Sequence, residues 1–487
     1  MNAPPYKILL INPPFSRKEE YKFWISSVGT KANPPLGLAY IAAVCLKKGY
    51  AVEIIDALAE ELTSAELKLR IIKANSSIVG VTATTPMINN AFEVLKLVKE
   101  CSSSTLTVLG GPHITAEPFF TMNECKELDI GVLGEGENTF VELVETYLTS
   151  NRGLGEIQGI IYRKEGQIIT NPPRTHIKNL DDIPFPAYHL LPMHLYSPSP
   201  FNYRRLPAVS IICSRGCPFQ CIFCTKGLFG NNVRRLSPQK VYEQVKYLVD
   251  NYKIREVHFY DDTFILDGDW VKEVCSYLER LNILWWCNGR VDIMTKEILS
   301  CLKKAGCYRI YYGVESGNEK SLKVLKKVTS IKKIKNAFKI TRESNIETGA
   351  FMMLGIPGEN GEDMQRSIDF VKEIKADHAV FSVLTPYPGT EIYKEHKKYG
   401  LMRKASWKDY IMISDDPIFI SYSTTKAELN RYLTLAYRSI VFSPRFIKNK
   451  IKDVFYSPWK IFFYTKGLIS TLKGIFLDFI QRKIRES

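Results

Sequence analysis

Three cysteines, Cys217, Cys221 and Cys224, follow one another in the stretch Cys213-Ser-Arg-Gly-Cys217-Pro-Phe-Gln-Cys221-Ile-Phe-Cys224. The run before them, Ala208-Val-Ser-Ile-Ile212, is apolar and reads as a buried strand. Spacings of four and three residues bring three thiolates onto one short loop. A [4Fe–4S] cube takes four ligands. Three supplied by the chain leave one iron open, as a catalytic zinc site keeps an open position. The loop is therefore a candidate for chemistry and not only for electron storage. Two alternatives fit the residues alone: a zinc knuckle with Cys213 as fourth ligand, or buried cysteines without metal. Cys213 belongs to the strand rather than the loop, which points to a core position.

The spacing, the preceding strand and the aromatic Phe223 resemble the radical S-adenosylmethionine (SAM) superfamily. The resemblance implies that the open iron is chelated by the amino and carboxylate groups of SAM. Reductive cleavage then yields a 5′-deoxyadenosyl radical, and Phe223 packs on adenine. Six strand-like runs support the implied fold: 208–212, 256–260, 284–288, 309–313, 347–353 and 379–384. Segments with helical spacing, such as 238–251, 270–281 and 332–344, lie between them. Six such units imply a partial (β/α)6 barrel with its active residues at the carboxyl ends of strands. Asp261 and Asp262 end the second run, where the family holds the SAM amino group; a carboxylate accepts hydrogen bonds from an ammonium. Asn288-Gly289-Arg290 ends the third run. Glu315 and Ser316 end the fourth, resembling the family's ribose and carboxylate contacts. Gly355 follows the fifth, where a glycine permits approach to adenine. Taken singly, the paired aspartates could cap a helix and Glu315 could serve an ion pair.

Residues 1–150 alternate strand and helix signals, as a parallel sheet covered on both faces requires. Strands are expected at 7–12, 52–56, 78–82, 106–109 and 130–133, with a long insertion after the first and a helix over 36–48. Small and turn residues follow the later strands: Thr82-Ala-Thr84, Gly110-Gly111-Pro112-His113 and Gly134-Glu135-Gly-Glu. Open α/β sheets bind ligands at such ends. The pattern resembles the cobalamin-binding domain that precedes the barrel in one large branch of the radical SAM enzymes. The resemblance implies a slot for the nucleotide tail of cobalamin formed by Thr82, Thr84, Gly110, Gly111, Pro112, Gly134 and Glu135. The Asp-x-His-x-x-Gly loop of other cobalamin domains is absent, and no histidine precedes His113. A histidine ligand to cobalt is therefore not expected. Without the cysteine loop, a nucleotide-binding or purely structural Rossmann-like domain would fit equally well.

The expected organisation is thus α/β throughout. A Rossmann-like cobalamin-binding domain (1–150) is followed by a linker or strap (151–205) containing a hairpin over 160–169. The radical SAM core (206–400) comes next, then a basic, aromatic-rich and mainly helical C-terminal region (401–487). The net charge of +15 is concentrated late, with twelve Lys/Arg against three Asp/Glu after residue 430. Aromatics such as Phe455, Trp459, Phe462, Phe476 and Phe479 interleave with these charges. The tail suits either an anionic membrane surface or a structural cover for the barrel; nucleic acid is disfavoured. No signal peptide and no spanning helix are expected. The other cysteines are scattered singly and read as buried hydrophobes. A reducing cytoplasm suits them and an oxygen-sensitive cluster, with the tail as the route to membrane association.

The chemistry implied by the resemblance is radical functionalisation of an unactivated carbon on a small-molecule or lipophilic substrate. Cobalamin-dependent C-methylation is the leading outcome, fed by an external electron donor such as flavodoxin or ferredoxin. Residues 436–447 also resemble the anaerobic magnesium-protoporphyrin monomethyl ester cyclase branch, which implies oxidative ring closure instead. A non-enzymatic iron–sulfur electron carrier or scaffold is the alternative from another class.

Overall fold

The computed structural model describes residues 7–15, 32–149, 153–466 and 469. The insertion after the first strand falls largely outside them, and so do Phe476 and Phe479. Five parallel strands begin the first sheet: Lys7–Asn12 (β1), Ala51–Asp56 (β2), Ile78–Thr82 (β3), Leu106–Gly110 (β4) and Ile130–Val132 (β5). Their order is β2-β1-β3-β4-β5. Ile8, Leu9, Leu10 and Ile11 are all buried, although alternate residues face opposite ways. Such unbroken apolar runs are what a parallel sheet with helices on both faces demands. Leu36–Lys47 (α1) and Gly136–Thr149 (α4) pack with Ile8, Leu10, Ile78 and Val108. Ser64–Ala74 (α2) and Ile88–Cys101 (α3) pack with Leu9, Ile11, Val79 and Leu109 on the opposite face. A reciprocal cap between Thr63 and Glu66 starts α2, and left-handed Asn75 ends it.

Two antiparallel strands, Ile160–Lys164 (β6) and Gln167–Thr170 (β7), complete this sheet through the pairing Ile130↔Tyr162. The hairpin expected in the connecting stretch therefore extends the first sheet. Glu165 and Gly166 both have positive φ, the signature of a tight primed turn. The remaining strap is tied to both lobes. Tyr196 donates to Asp56 Oδ2 (2.7 Å), and Tyr188 accepts from Gln244 Nε2 (2.9 Å).

Six parallel strands form the second sheet in sequential order. They are Ala208–Ile211 (β8), Glu256–Phe259 (β9), Leu284–Gly289 (β10), Cys307–Glu315 (β11), Glu347–Leu354 (β12) and His378–Val383 (β13). This is the expected set, with ends moved by one or two residues. Five helices cover the outer face: Pro238–Tyr252 (α5), Gly268–Leu278 (α6), Lys296–Lys304 (α7), Ile331–Glu343 (α8) and Gly361–Glu373 (α9). Each starts on a capping side chain: Ser237, Asp267, Thr295, Ser330 and Asn360. Alternation along the strands sends Phe259, Trp285, Ile310 and Tyr312 toward the helices. Tyr260, Trp286, Tyr311 and Phe351 turn to the inner face.

A short hairpin, Gly400–Met402 (β14) with Phe419–Ser421 (β15), precedes two helices, Lys426–Val441 (α10) and Pro444–Tyr456 (α11). Tyr437 of α10 donates to the Phe381 carbonyl (2.8 Å). The chain after α11 closes the amino-terminal end of the barrel: Ser457 Oγ donates to the Arg204 carbonyl, and buried Lys460 donates to the Tyr203 carbonyl. Beneath them lie paired buried groups. Arg309 donates to Glu347 (3.0 and 3.1 Å), His258 pairs with Glu256 (2.9 Å), and Tyr308 donates to Glu256 (2.6 Å). Among the described residues no helix is long and apolar enough to cross a membrane.

Candidate functional site

At the carboxyl ends of β3, β4 and β5 the first sheet opens onto a cavity of about 490 Å³, within the range of cofactor sites. Thr82, Gly110, Gly111, Pro112, Gly134 and Glu135 all line it. Thr84 does not; it is exposed ahead of the helical turn Thr85–Met87. Ser210, Ile212, Arg215 and Tyr260 close the cavity from the barrel side. A Cβ added at Gly110 or Gly134 would meet nothing within 4 Å, so the backbone there is cut back to leave room. Gly111 is different. Its φ is +103°, and a Cβ would fall 2.9 Å from both the Ala83 carbonyl and Thr82 Oγ1, so the turn itself requires glycine. A glycine-floored slot with apolar walls, among them Leu10, Val108 and Phe140, fits the nucleotide tail of cobalamin. No histidine lines it. His113 is buried, 3.2 Å from Thr85 Oγ1 and edge-on to Trp407, and burial holds its pKa down to about 4.

Glu135 faces this cavity, but its oxygens are already engaged. Oε1 accepts from Arg215 (2.9 Å), and Oε2 accepts from Arg234 (2.8 Å) and from the Ile177 amide (2.8 Å). Arg215 also donates to Glu137 (2.5 Å) at the first turn of α4. Burial pushes the Glu135 pKa up, yet Arg234 and Arg215 outweigh it and hold the carboxyl below its ordinary value. The acid expected beside cobalamin is thus a tie between the first sheet and the loop that carries the cysteines.

That loop leaves β8 through Ser214-Arg215, paired antiparallel with Arg234-Arg235. Gly216 has φ +91°, and a Cβ there would lie 2.3 Å from the Asn232 carbonyl, so only glycine makes the turn. Ile222 anchors the loop in a separate core with Leu325, Ile356 and Leu384, against which Phe223 is half-buried. Cys217 and Cys221 are partly exposed and Cys224 is exposed; all three are free thiols. Cys213 is fully buried in the main core, apart from the loop. Among the described residues no three His, Cys, Asp or Glu side chains converge closely enough to hold one metal ion. In a cube each thiolate takes a different iron, so the three need not converge on one point.

Polar groups gather at the barrel strand ends facing this loop. Asp261 is buried; its Oδ1 accepts from the Cys213 amide (2.9 Å) and Ser214 Oγ (2.6 Å), fixing the start of the loop. Burial raises its pKa to about 6. Its Oδ2 is buried without a partner, as are Asn288 Oδ1 and Lys226 Nζ. Two orphaned acceptors and one orphaned ammonium are the complement of an amino acid's ammonium and carboxylate, so the donor set fits the methionine end of SAM. Asp262 is exposed nearby. Glu315, at φ +66°, pairs with Lys327 (2.8 Å). Ser316 turns away, bonding to Glu359 and Ser367 (both 3.1 Å). At Gly355, with φ +78°, a Cβ would meet Leu429 of α10 at 3.3 Å. Lys226 and Lys327 escaped the sequence reading, because in a lysine-rich chain no local pattern marks them. Asn288 did carry a signal, its position at a strand end.

Across the inner face of the barrel runs an aromatic ladder. Ring centroids are 5.1 Å apart for Tyr260–Trp286, 5.3 Å for Trp286–Tyr311 and 5.1 Å for Tyr311–Phe351. Gly349 makes room for it; a Cβ there would lie 2.2 Å from the Tyr311 ring. Trp286 and Tyr311 are buried, but Tyr260 and Phe351 remain 39% and 36% exposed. Tyr260 also lines the glycine-floored cavity, so the two spaces share a wall.

Comparison with known proteins agrees with this geometry. The radical SAM superfamily matches residues 211–371, and the B12 binding domain matches residues 25–144. An uncharacterized methyltransferase of Pyrococcus horikoshii is 35% identical over 452 residues, covering 92% of this chain and 95% of that protein. An anaerobic magnesium-protoporphyrin IX monomethyl ester cyclase of Rubrivivax gelatinosus is 30% identical, covering 74% of this chain and 66% of that protein. The cobalamin-dependent SAM radical enzyme OxsB, solved with aqua-cobalamin bound, shares the fold. Its TM-score is 0.72 at 17% identity, over 96% of this chain and 72% of that one.

Proposed function

We propose that this chain, which belongs to the B12-binding radical SAM enzymes, is a C-methyltransferase. The observation that carries the reading is the wall shared through Tyr260 between the glycine-floored cavity and the inner face of the barrel. A cofactor in the cavity would thereby adjoin a substrate on the aromatic ladder. When bound, the cluster and SAM supply a 5′-deoxyadenosyl radical and cobalamin supplies a methyl carrier.

Cys217, Cys221 and Cys224 hold the cluster in this reading. The free oxygens of Asp261 and Asn288 accept hydrogen bonds from the SAM ammonium, Lys226 meets its carboxylate, and Phe223 supplies an apolar neighbour for its ring system. Thr82, Gly110, Gly111, Pro112 and Gly134 form the cobalamin slot. Residues 1–150, 206–400 and 401–487 divide the work into cofactor slot, radical core and cover. Tyr260 and Phe351 favour an uncharged, apolar portion of substrate and exclude water from it. An external one-electron donor such as flavodoxin or ferredoxin completes the system.

Protein reconstituted without oxygen, loaded with cobalamin and reduced should release both S-adenosylhomocysteine and 5′-deoxyadenosine on turnover. 5′-Deoxyadenosine alone would reject methyl transfer and leave the radical step standing. Neither product, with iron and cobalt both in place, would reject the enzyme and favour an electron carrier. The similarity to the Rubrivivax cyclase supports oxidative ring closure as a second reading. That reading gives 5′-deoxyadenosine without a methylated product.

A further inference from the structure

Helix α11 is built inside out. Its inward side is polar: Lys450 pairs with Asp453 (3.0 Å) and both are buried, while Arg445 and Asn449 donate to Asp377 Oδ1 (3.0 and 3.2 Å). Its outward side carries Ile447, Ile451 and Phe455, spaced four residues apart on one stripe and 46%, 58% and 84% exposed. The stripe continues past the helix end through Trp459, Ile461 and Phe462, all exposed. A surface helix of an ordinary soluble domain shows the reverse arrangement. Exposed apolar patches rimmed by charge mark a surface that something else covers.

The rim shows what that is. Lys448 and Lys452 flank the stripe, both exposed, and neither makes an ion pair among the described residues. The one acid of the helix, Asp453, is turned inward. Tyr456 and Trp459, both exposed, each add an apolar body with a polar edge. An apolar stripe flanked by two uncompensated lysines complements acyl chains lying beneath anionic headgroups. A protein partner would need a matching apolar groove lined with acids, and a second copy of this chain would bring lysines against lysines.

We propose that α11 and the turn after it seat this chain peripherally on an anionic lipid bilayer. The inference stands apart from the catalytic reading, since its test requires no turnover. Cofactor-loaded full-length protein is sedimented with vesicles of phosphatidylcholine and phosphatidylglycerol in equal parts, and with vesicles of phosphatidylcholine alone. The protein should pellet with the anionic vesicles. Phe455→Asp should weaken that binding by about tenfold or more, while Phe455→Leu leaves it unchanged. Lys448→Glu and Lys452→Glu should each cost about fivefold on anionic vesicles only. SAM cleavage by the same preparations should not change, so failure here is separable from failure of the enzyme assignment. Wild-type protein that stays in solution, or a Phe455→Asp protein that binds normally, would overturn the proposal. A dimer in solution that depends on Phe455, without vesicle binding, would give the face to a second copy and overturn it equally.

Discussion

Gly110 and Gly111 are neighbours in the chain with opposite demands. A side chain at Gly110 would project into open space on the cavity floor, whereas one at Gly111 would strike the Ala83 carbonyl at positive φ. Gly110→Val should therefore fold with a near-native thermal midpoint yet lose cobalamin, seen as missing visible absorbance after loading. Gly111→Ala should lower stability itself by about 1–3 kcal/mol, with or without cobalamin. Equal behaviour of the two variants would remove the slot from this position. The paired glycines were legible in the sequence as a turn after a strand. Which glycine serves the ligand and which serves the backbone was not, because the difference depends on Ala83 and Thr82, brought in by another strand.

At the scale of elements, the apolar runs of the two sheets were readable because burial on both faces leaves a local trace in sequence. The junctions between elements were not. The hydroxyl of Ser316 bonds to Glu359 and Ser367, and a Cβ at Gly355 would meet Leu429 of α10, neighbours that the strings around them do not announce. Long-range partners leave no local pattern. Glu359 joins the ends of β11 and β12, accepting from Ser316, from Ser321 (2.8 Å) and from the Ile356 amide (3.2 Å). Burial raises its pKa from 4.5 to about 7. The folded chain thus holds a proton that the unfolded chain releases earlier. The stability this group contributes is full below 4.5 and is lost as pH rises toward 7. Denaturant midpoints taken on either side of that window should fall with rising pH in the parent chain. In Glu359→Gln that part of the slope should vanish; an unchanged slope would mean another group titrates there.

Over the whole molecule, the two sheets are locked by a buried cluster in which Arg215 meets Glu135 and Glu137, and Arg234 shares Glu135. The paired residues are about eighty to a hundred positions apart in the chain, which is why Glu135 reads in sequence as a free acid in a loop. Removing one member of a buried ion pair typically costs about 3–5 kcal/mol, while replacing both by apolar groups is far less costly. Arg215→Met should therefore destabilise the chain strongly in denaturant unfolding and loosen cobalamin retention. Adding Glu137→Leu should recover part of the loss. Additive losses in the double variant would show that the pair does not couple the two halves.

The plug of Tyr203, Lys460 and the Arg309–Glu347 pair also has a kinetic corollary. By filling the amino-terminal end of the barrel it turns reactants and spent products toward the carboxyl ends of the strands, beneath the cysteine loop. Where arrival and departure share that side, they compete for it. An occupant that lingers there would throttle turnover however fast the bond-making beyond it.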